Sequence, residues 1–197
     1  HASTREYSGP PRETLGAVNT QGTLNEYGDL FSTMGSWNFG FYAAPHMQEI
    51  LGWYGASNYQ VVNTSGQYQI EAAETRNASS QVKALKVVRD QASNSYVWLE
   101  YRTNTGSYDS QLGSQVWSGA LLHYEDGFTS THSQLLDGTP GTTAWTDPVL
   151  AVGQTWTDPY SGVSITPNSI VGTKLNVTVS YGAAQCLQAN PTVTLSP

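Results

Sequence analysis

Four histidines, His1, His46, His123 and His132, and 15 acidic residues are the side chains best suited to chemistry in this chain. An imidazole can ligate a transition metal or move a proton near neutral pH. A pair of carboxylates can act as acid and base on a glycosidic bond. Spacing narrows these options. No His-Glu-x-x-His occurs, so no helix offers two metal-binding imidazoles one turn apart with a glutamate between them. A Gly-x-Ser-x-Gly nucleophile elbow is also absent. Glu100 with Asp109, or Glu125 with Asp137, could form a glycosidase pair, but in so acidic a chain some pair always presents itself. Asp126-Gly127 and Asp137-Gly138 lack the EF-hand spacing for calcium, and simple turns are the better reading. The single cysteine, Cys186, excludes an internal disulfide and a cysteine-rich zinc knuckle. It has no electropositive neighbours in sequence and reads as inert.

The elements that must position these groups follow from periodicity. Residues 1–25 carry Gly9-Pro10-Pro11 and Gly16 with no period and read as loop. Glu26-Tyr27-Gly28-Asp29 leads into the turn-rich Ser32-Thr33-Met34-Gly35. Between Ala44 and Trp53, the apolar Met47, Ile50 and Leu51, continued by Tyr54, follow a three-four spacing that predicts a short helix beginning near Pro45. His46 on that helix is expected to pack or hydrogen-bond rather than ligate. His123 is expected to sit in a core or cross-strand position, and His132 in a solvated loop.

From Asn58 the period becomes two. Residues 59–62 and 67–72 read as strand, turn, strand. Residues 82–88 and 95–102 read as a hairpin with a longer loop. Further strands are expected over 116–124, 133–137, 154–157, 163–166 and 174–180. Short strands with turn signals every 8–12 residues predict a mainly β chain, an antiparallel β-sandwich. The boundary between the helix-bearing part and the β part falls near residue 56 without a Pro/Ser linker, so the two are expected to pack together.

These motifs resemble, in order, the gametolysin-like and immune-inhibitor-A-like branch of secreted metzincin metallopeptidases. In that group a Tyr-Gly-Asp segment precedes a methionine-bearing turn, and a Tyr-x-Ala-Pro-His helix ends in Leu-Gly-Trp. The matching residues are Glu26, Tyr27, Gly28, Asp29, Met34 and Gly35, then Tyr42, Ala44, Pro45, His46, Leu51, Gly52 and Trp53. Downstream segments from Gly66-Gln67-Tyr68 to Trp156-Thr157-Asp158-Pro159 look like the β domain these peptidases carry, and the likeness spans roughly residues 1–181.

The resemblance implies that residues 1–55 are the C-terminal remnant of a catalytic domain, 56–182 its β-sandwich and 183–197 a linker toward a further module. It implies a parent that cleaves extracellular protein or peptide with zinc-activated water. Met34, Gly35, Tyr27 and Asp29 would form the site floor. His1 stands where the family carries its third zinc ligand, although it also reads as a tag remnant. One histidine cannot hold zinc alone, so no catalytic residue is expected within this chain and the isolated chain is expected to be inactive.

Two other readings use different residues. As an N-terminal residue, His1 resembles the copper-binding histidine brace of secreted polysaccharide monooxygenases, with His46, His123 or His132 as second ligand. Alternatively, a β-sandwich with exposed rings could bind carbohydrate. Trp98 and Trp156 read as core, and Trp145 is the aromatic expected to be exposed.

Composition bounds the partners. The 197 residues suffice for one solid core. Charged residues are 12%, about half the ~25% usual for soluble domains, and the 12 Tyr and 6 Trp argue against disorder. With net charge -7 and 8 scattered Lys and Arg, a nucleic-acid partner is not expected. No apolar run approaches the ~20 residues of a membrane span. The Ser, Thr, Asn, Gln and Gly richness suits a secreted protein. No signal peptide is evident, and both ends read as cut from something larger.

Overall fold

A computed structural model describes residues 1–7, 9, 11–36, 41–75, 80–127 and 133–182. Cys186, His132 and the linker expected over 183–197 lie outside the described residues. The chain is mainly β and forms two sheets in a sandwich-like arrangement. The larger sheet runs β2 (Thr23–Asn25), β1 (Ala2–Glu6), β8 (Ser133–Leu135), β7 (Gly119–Glu125), β6 (Ser95–Tyr101), β5 (Ala84–Asp90), β3 (Tyr59–Val62), with β9 (Leu150–Ala151) also paired to β7. The smaller runs β10 (Trp156–Thr157), β11 (Val163–Val171), β12 (Lys174–Tyr181), β4 (Gly66–Glu71).

The inward faces of both sheets make the main core. Leu85, Val87, Val97, Leu99 and Leu122 of the larger sheet pack with Ile70, Ile165, Leu175, Val177 and Val179 of the smaller. Alternation is cleanest on β12, where Leu175, Val177 and Val179 are buried and their neighbours are not. The centre of the larger sheet is buried on both faces instead. Along β6 and β7 nearly every residue is buried, so their sequences read as continuous rather than alternating.

Several sequence expectations need correction. Residues 1–25 are not all loop, because β1 and β2 fall there and β1 lies inside the larger sheet between β2 and β8. Ala-Ser-Thr-Arg-Glu shows no apolar alternation because the polar Ser3, Thr4 and Arg5 are buried within the sheet. Arg5 donates to Asp126 at 3.0 Å with both residues buried. The sandwich is also not wholly antiparallel, since β1–β8 and β3–β5 are parallel pairs. The strands expected over 59–62 and 67–72 are present as β3 and β4, and the chain changes sheet between them. Val116 and Trp117 belong to a 3₁₀ segment, Ser114–Ser118, that precedes β7. The expected β5–β6 hairpin is present, and its turn ends at Asn94 with φ 51°.

Where β4 leaves the smaller sheet, Glu74 is buried and accepts hydrogen bonds from the backbone and hydroxyl of Thr103. Burial raises its pKa above the ordinary 4.5, against the lowering effect of those bonds. The folded chain therefore holds this proton more tightly than the unfolded chain does. The resulting stabilisation is complete below the ordinary value and is lost as pH rises through the raised one. Glu74→Gln is expected to remove this dependence. Its melting temperature, measured against the unsubstituted chain, is expected to gain progressively as pH is raised from 4 toward 7.

Candidate functional site

The residues singled out by sequence meet at one end of β1. The β1–β2 pairing sets Thr4 opposite Asn25. Just beyond β2, a turn closed by the Gly28 N–H on the Asn25 carbonyl (3.1 Å) returns the chain toward His1. The Tyr27 hydroxyl lies 2.7 Å from His1 Nε2 and the two rings are 4.3 Å apart, while Glu26 contacts His1 Nδ1. The imidazole thus carries a carboxylate on one nitrogen and a phenol on the other. A carboxylate on the far nitrogen is how metal-binding histidines are commonly oriented.

Tyr27 reaches this position at a backbone cost. Its φ of 61° lies in the left-handed region, which costs a side-chain-bearing residue ~1–2 kcal/mol. Such strain concentrates where a side chain must be aimed. Glycine would relieve it at an entropic cost of ~0.5–1 kcal/mol. Tyr27→Gly is therefore expected to leave stability unchanged or raise it by up to ~1 kcal/mol in urea denaturation, while His1 Nε2 loses the phenol and Nδ1 keeps Glu26.

Asp29 and the methionine turn form the next layer. Asp29 is fully buried. Its Oδ1 accepts the Phe31 N–H at 2.8 Å, its Oδ2 faces His123 Nε2 at 3.2 Å, and its carbonyl accepts the Ser36 N–H at 2.9 Å. The Gly35 N–H closes the turn on the Ser32 carbonyl at 2.9 Å. A Cβ on Gly35 would run into the Asp29 carbonyl, so the turn packs directly on the segment before it. The Met34 carbonyl then accepts the Ala2 N–H at 2.9 Å, which ties the turn to the first residue of β1.

The helical part is shorter and wider than the sequence suggests. It is a π-type turn over His46–Ile50, with the Leu51 N–H on the His46 carbonyl at 3.0 Å. Met47 is buried as expected, but Ile50 is 50% exposed. One wide turn places Ile50 differently from the 3.6-residue helix assumed from its spacing. The segment before it is anchored from beneath. Glu100 Oε2 accepts the Ala44 N–H at 2.7 Å, and Arg102 donates to the Tyr42 carbonyl at 3.2 Å.

These pieces enclose a small cavity of about 80 Å³ lined by His1, Met34, Tyr42, His46, Ile50 and Leu51. Met34 and Ile50 are exposed at its wall, Tyr27 is exposed over His1, and Trp53 is 60% exposed, edge-on to Tyr42 at 5.2 Å. Met34 and Ile50 line the cavity itself, and Tyr27 and Trp53 each lie against a residue that does.

The donors among the described residues do not fit a complete metal site, and His132 lies outside them. Among the described residues no group of three or more His, Cys, Asp and Glu could hold an ion. His46 lines the same cavity as His1, but its Nε2 accepts the Ser133 N–H at 3.3 Å. His123 is buried against Asp29, in the cross-strand role expected of it. Neither zinc nor a copper brace is completed by these residues, and no chemical step through a metal follows from them.

The other candidates are dispersed. Glu100 and Asp109 do not form a hydrolytic pair, because both are buried on Arg102, at 2.9 Å each. Glu125 contacts Lys86 at 3.0 Å and accepts the Trp98 indole N–H. Trp98 is fully buried and Trp156 packs partly against the main core, as expected. Trp145 is half-buried and packs on a satellite core of Phe31, Leu112 and Val116, so it is not the exposed ring anticipated. Trp53 is far more open.

Sequence reasoning missed the Glu26 contact to His1 and the anchoring role of Arg102. The second left a trace. Glu100 and Arg102 are two apart on a strand and so share a face, where opposite charges pair. Comparison adds no relative, for no family model, no curated protein and no solved structure matches the chain. Among the described residues no helix is long and apolar enough to cross a membrane.

Proposed function

We propose that residues 1–55 supply the floor of a metzincin-like zinc-peptidase site in a secreted protein, with the β-sandwich of residues 56–182 as its accessory or substrate-binding module. The observation that carries this reading is that His1 and Met34 line one cavity while the Met34 carbonyl holds the Ala2 N–H. In this reading zinc would take the place of the Tyr27 hydroxyl on His1 Nε2, Glu26 fixes the ring through Nδ1, and Tyr27, Asp29, Met34 and Gly35 brace the floor. Two further imidazoles and the water-activating glutamate belong to a segment outside these residues. The exposed Tyr27, Ile50 and Trp53 form the surface that this segment or an extracellular peptide substrate would cover.

The isolated chain is expected to cleave no casein with or without zinc. Cleavage that a chelator abolishes would overturn the reading. The stronger test is the coding sequence immediately upstream of His1. A His-Glu-x-x-His-x-x-Gly-x-x run there is expected. The correspondingly extended polypeptide is expected to bind one zinc per chain by atomic absorption and to lose it on His1→Ala. An upstream sequence without the run, or zinc content indifferent to His1→Ala, would rule the proposal out.

A further inference from the structure

The cavity beside His1 encloses about 80 Å³. That is well below the ~300 Å³ at which small-molecule sites begin, so it suits one side chain of a larger ligand. Apart from its two imidazoles the wall is Met34, Tyr42, Ile50 and Leu51. An aliphatic side chain matches that lining, and a charged one does not.

Two exposed rings stand beside it, both held in place. The Trp53 N–H donates to the Met47 carbonyl at 2.8 Å, and its ring meets Tyr42 edge-on. The Tyr27 ring lies against His1. Rings fixed in this way lose little freedom when a ligand arrives.

Charge decides the kind of ligand. The charged clusters around the cavity each hold one carboxylate more than they have fixed cations. Glu26 faces the His1 imidazole, which carries no fixed charge. Lys86 is shared by Glu49 at 2.8 Å and Glu125 at 3.0 Å. Arg102 is shared by Glu100 and Asp109. The sum stays negative when the His1 α-amino group is counted as positive. The other described Lys and Arg are engaged elsewhere. Arg5, Arg12, Lys83 and Arg89 pair with Asp126, Glu6, Glu71 and Asp158, and Lys174 lies on the smaller sheet. A concave site bordered by one sign of charge concentrates the opposite sign. Glu26 and Glu49 are the exposed members of these clusters.

We infer that this rim binds a basic peptide segment, an aliphatic residue flanked by Lys or Arg. The aliphatic side chain enters the cavity. The flanking cations reach Glu26 and Glu49 and lie over Tyr27 and Trp53, whose ring faces attract positive charge. The inference names the substrate class of the peptidase site proposed above, and it rests on that reading for why a peptide comes here.

The test titrates end-capped Lys-Leu-Lys-Leu-Lys, Ser-Leu-Ser-Leu-Ser and Glu-Leu-Glu-Leu-Glu into the chain as it stands, without zinc and at low salt, in a calorimeter. The basic peptide is expected to bind at least about tenfold tighter than the serine peptide, and the acidic one not to bind. Glu26→Gln and Glu49→Gln are each expected to weaken the basic peptide about threefold with the thermal melt unchanged. Asp90→Asn removes the same charge at the β5–β6 turn and is expected to change nothing. Trp53→Ala is expected to weaken binding at least about tenfold. If that variant does not fold, the two glutamine variants still decide. No binding of the basic peptide at about 1 mM, equal affinity for the three peptides, indifference to both glutamine variants, or an equal loss on Asp90→Asn would overturn the inference. Because the measurement needs neither zinc nor cleavage, its failure leaves the zinc test above untouched, and a failed zinc test leaves the measured binding standing.

Discussion

Arg102→Met is expected to lower the unfolding free energy by ~3–5 kcal/mol, the cost of stranding buried charge by removing its partner. Arg102 is fully buried and holds Glu100 through Nε (3.2 Å) and Nη2 (2.9 Å) and Asp109 through Nη1 (2.9 Å). Burial pulls its pKa down, and the two carboxylates more than reverse the effect, so the guanidinium stays charged. Without it, two buried carboxylates face each other across a space with no counterion. The damage is expected to spread to the His1 cavity, because the Tyr42 carbonyl and the Ala44 N–H hang on this same cluster. Urea denaturation measures the first effect. Faster hydrogen exchange at the Ala44 amide measures the second. A loss below ~1 kcal/mol would show that the cluster is decorative. The triple substitution Glu100→Gln, Arg102→Met, Asp109→Asn should recover much of the loss, because the cost lies in unbalanced charge rather than in the absence of an ion pair.

Trp98→Ala is expected to cost a comparable ~3–5 kcal/mol, by cavity formation instead of charge. Trp98 is fully buried with Ala44 and Ala84, has Tyr59 beside it at 5.9 Å between ring centroids, and donates its indole N–H to Glu125. Alanine removes the ring and leaves that carboxylate with fewer partners. Trp53→Ala is the control. At 60% exposure its removal is expected to stay within ~0.5 kcal/mol. A thermal melt separates the two, and equal effects would contradict the burial pattern. Because Ala44 adjoins both Trp98 and the turn bearing His46, the Trp98 variant is also expected to loosen the cavity around His46.

The mainly β character was legible because period-two segments recur between turn residues, and β5, β6, β11 and β12 fall close to their expected places. What pairs with what was not legible. Periodicity reports which side chains share a face and is silent on the neighbouring strand, so nothing in residues 59–72 showed that β3 and β4 belong to different sheets. The strand at Ala2–Glu6 was hidden because its burial is polar and depends on Asp126 far along the chain. In the candidate site, the company of His1, Tyr27, Asp29 and Met34 followed from motif order. The left-handed backbone at Tyr27 did not, because a tyrosine carries no mark of that conformation. Nor did the half-burial of Trp145, since a Thr-rich neighbourhood says nothing of the satellite core beneath it.

The side-by-side alignment of Ala2 with Ser133 has a kinetic corollary. That contact joins residues far apart in sequence, whereas β5, β6 and β7 pair with near neighbours. Closing so long a span is slow. The β1–β8 pair is therefore expected to form after the β5–β6–β7 meander, and the amides of Ala2–Glu6 to exchange hydrogen sooner than those of Ser95–Tyr101.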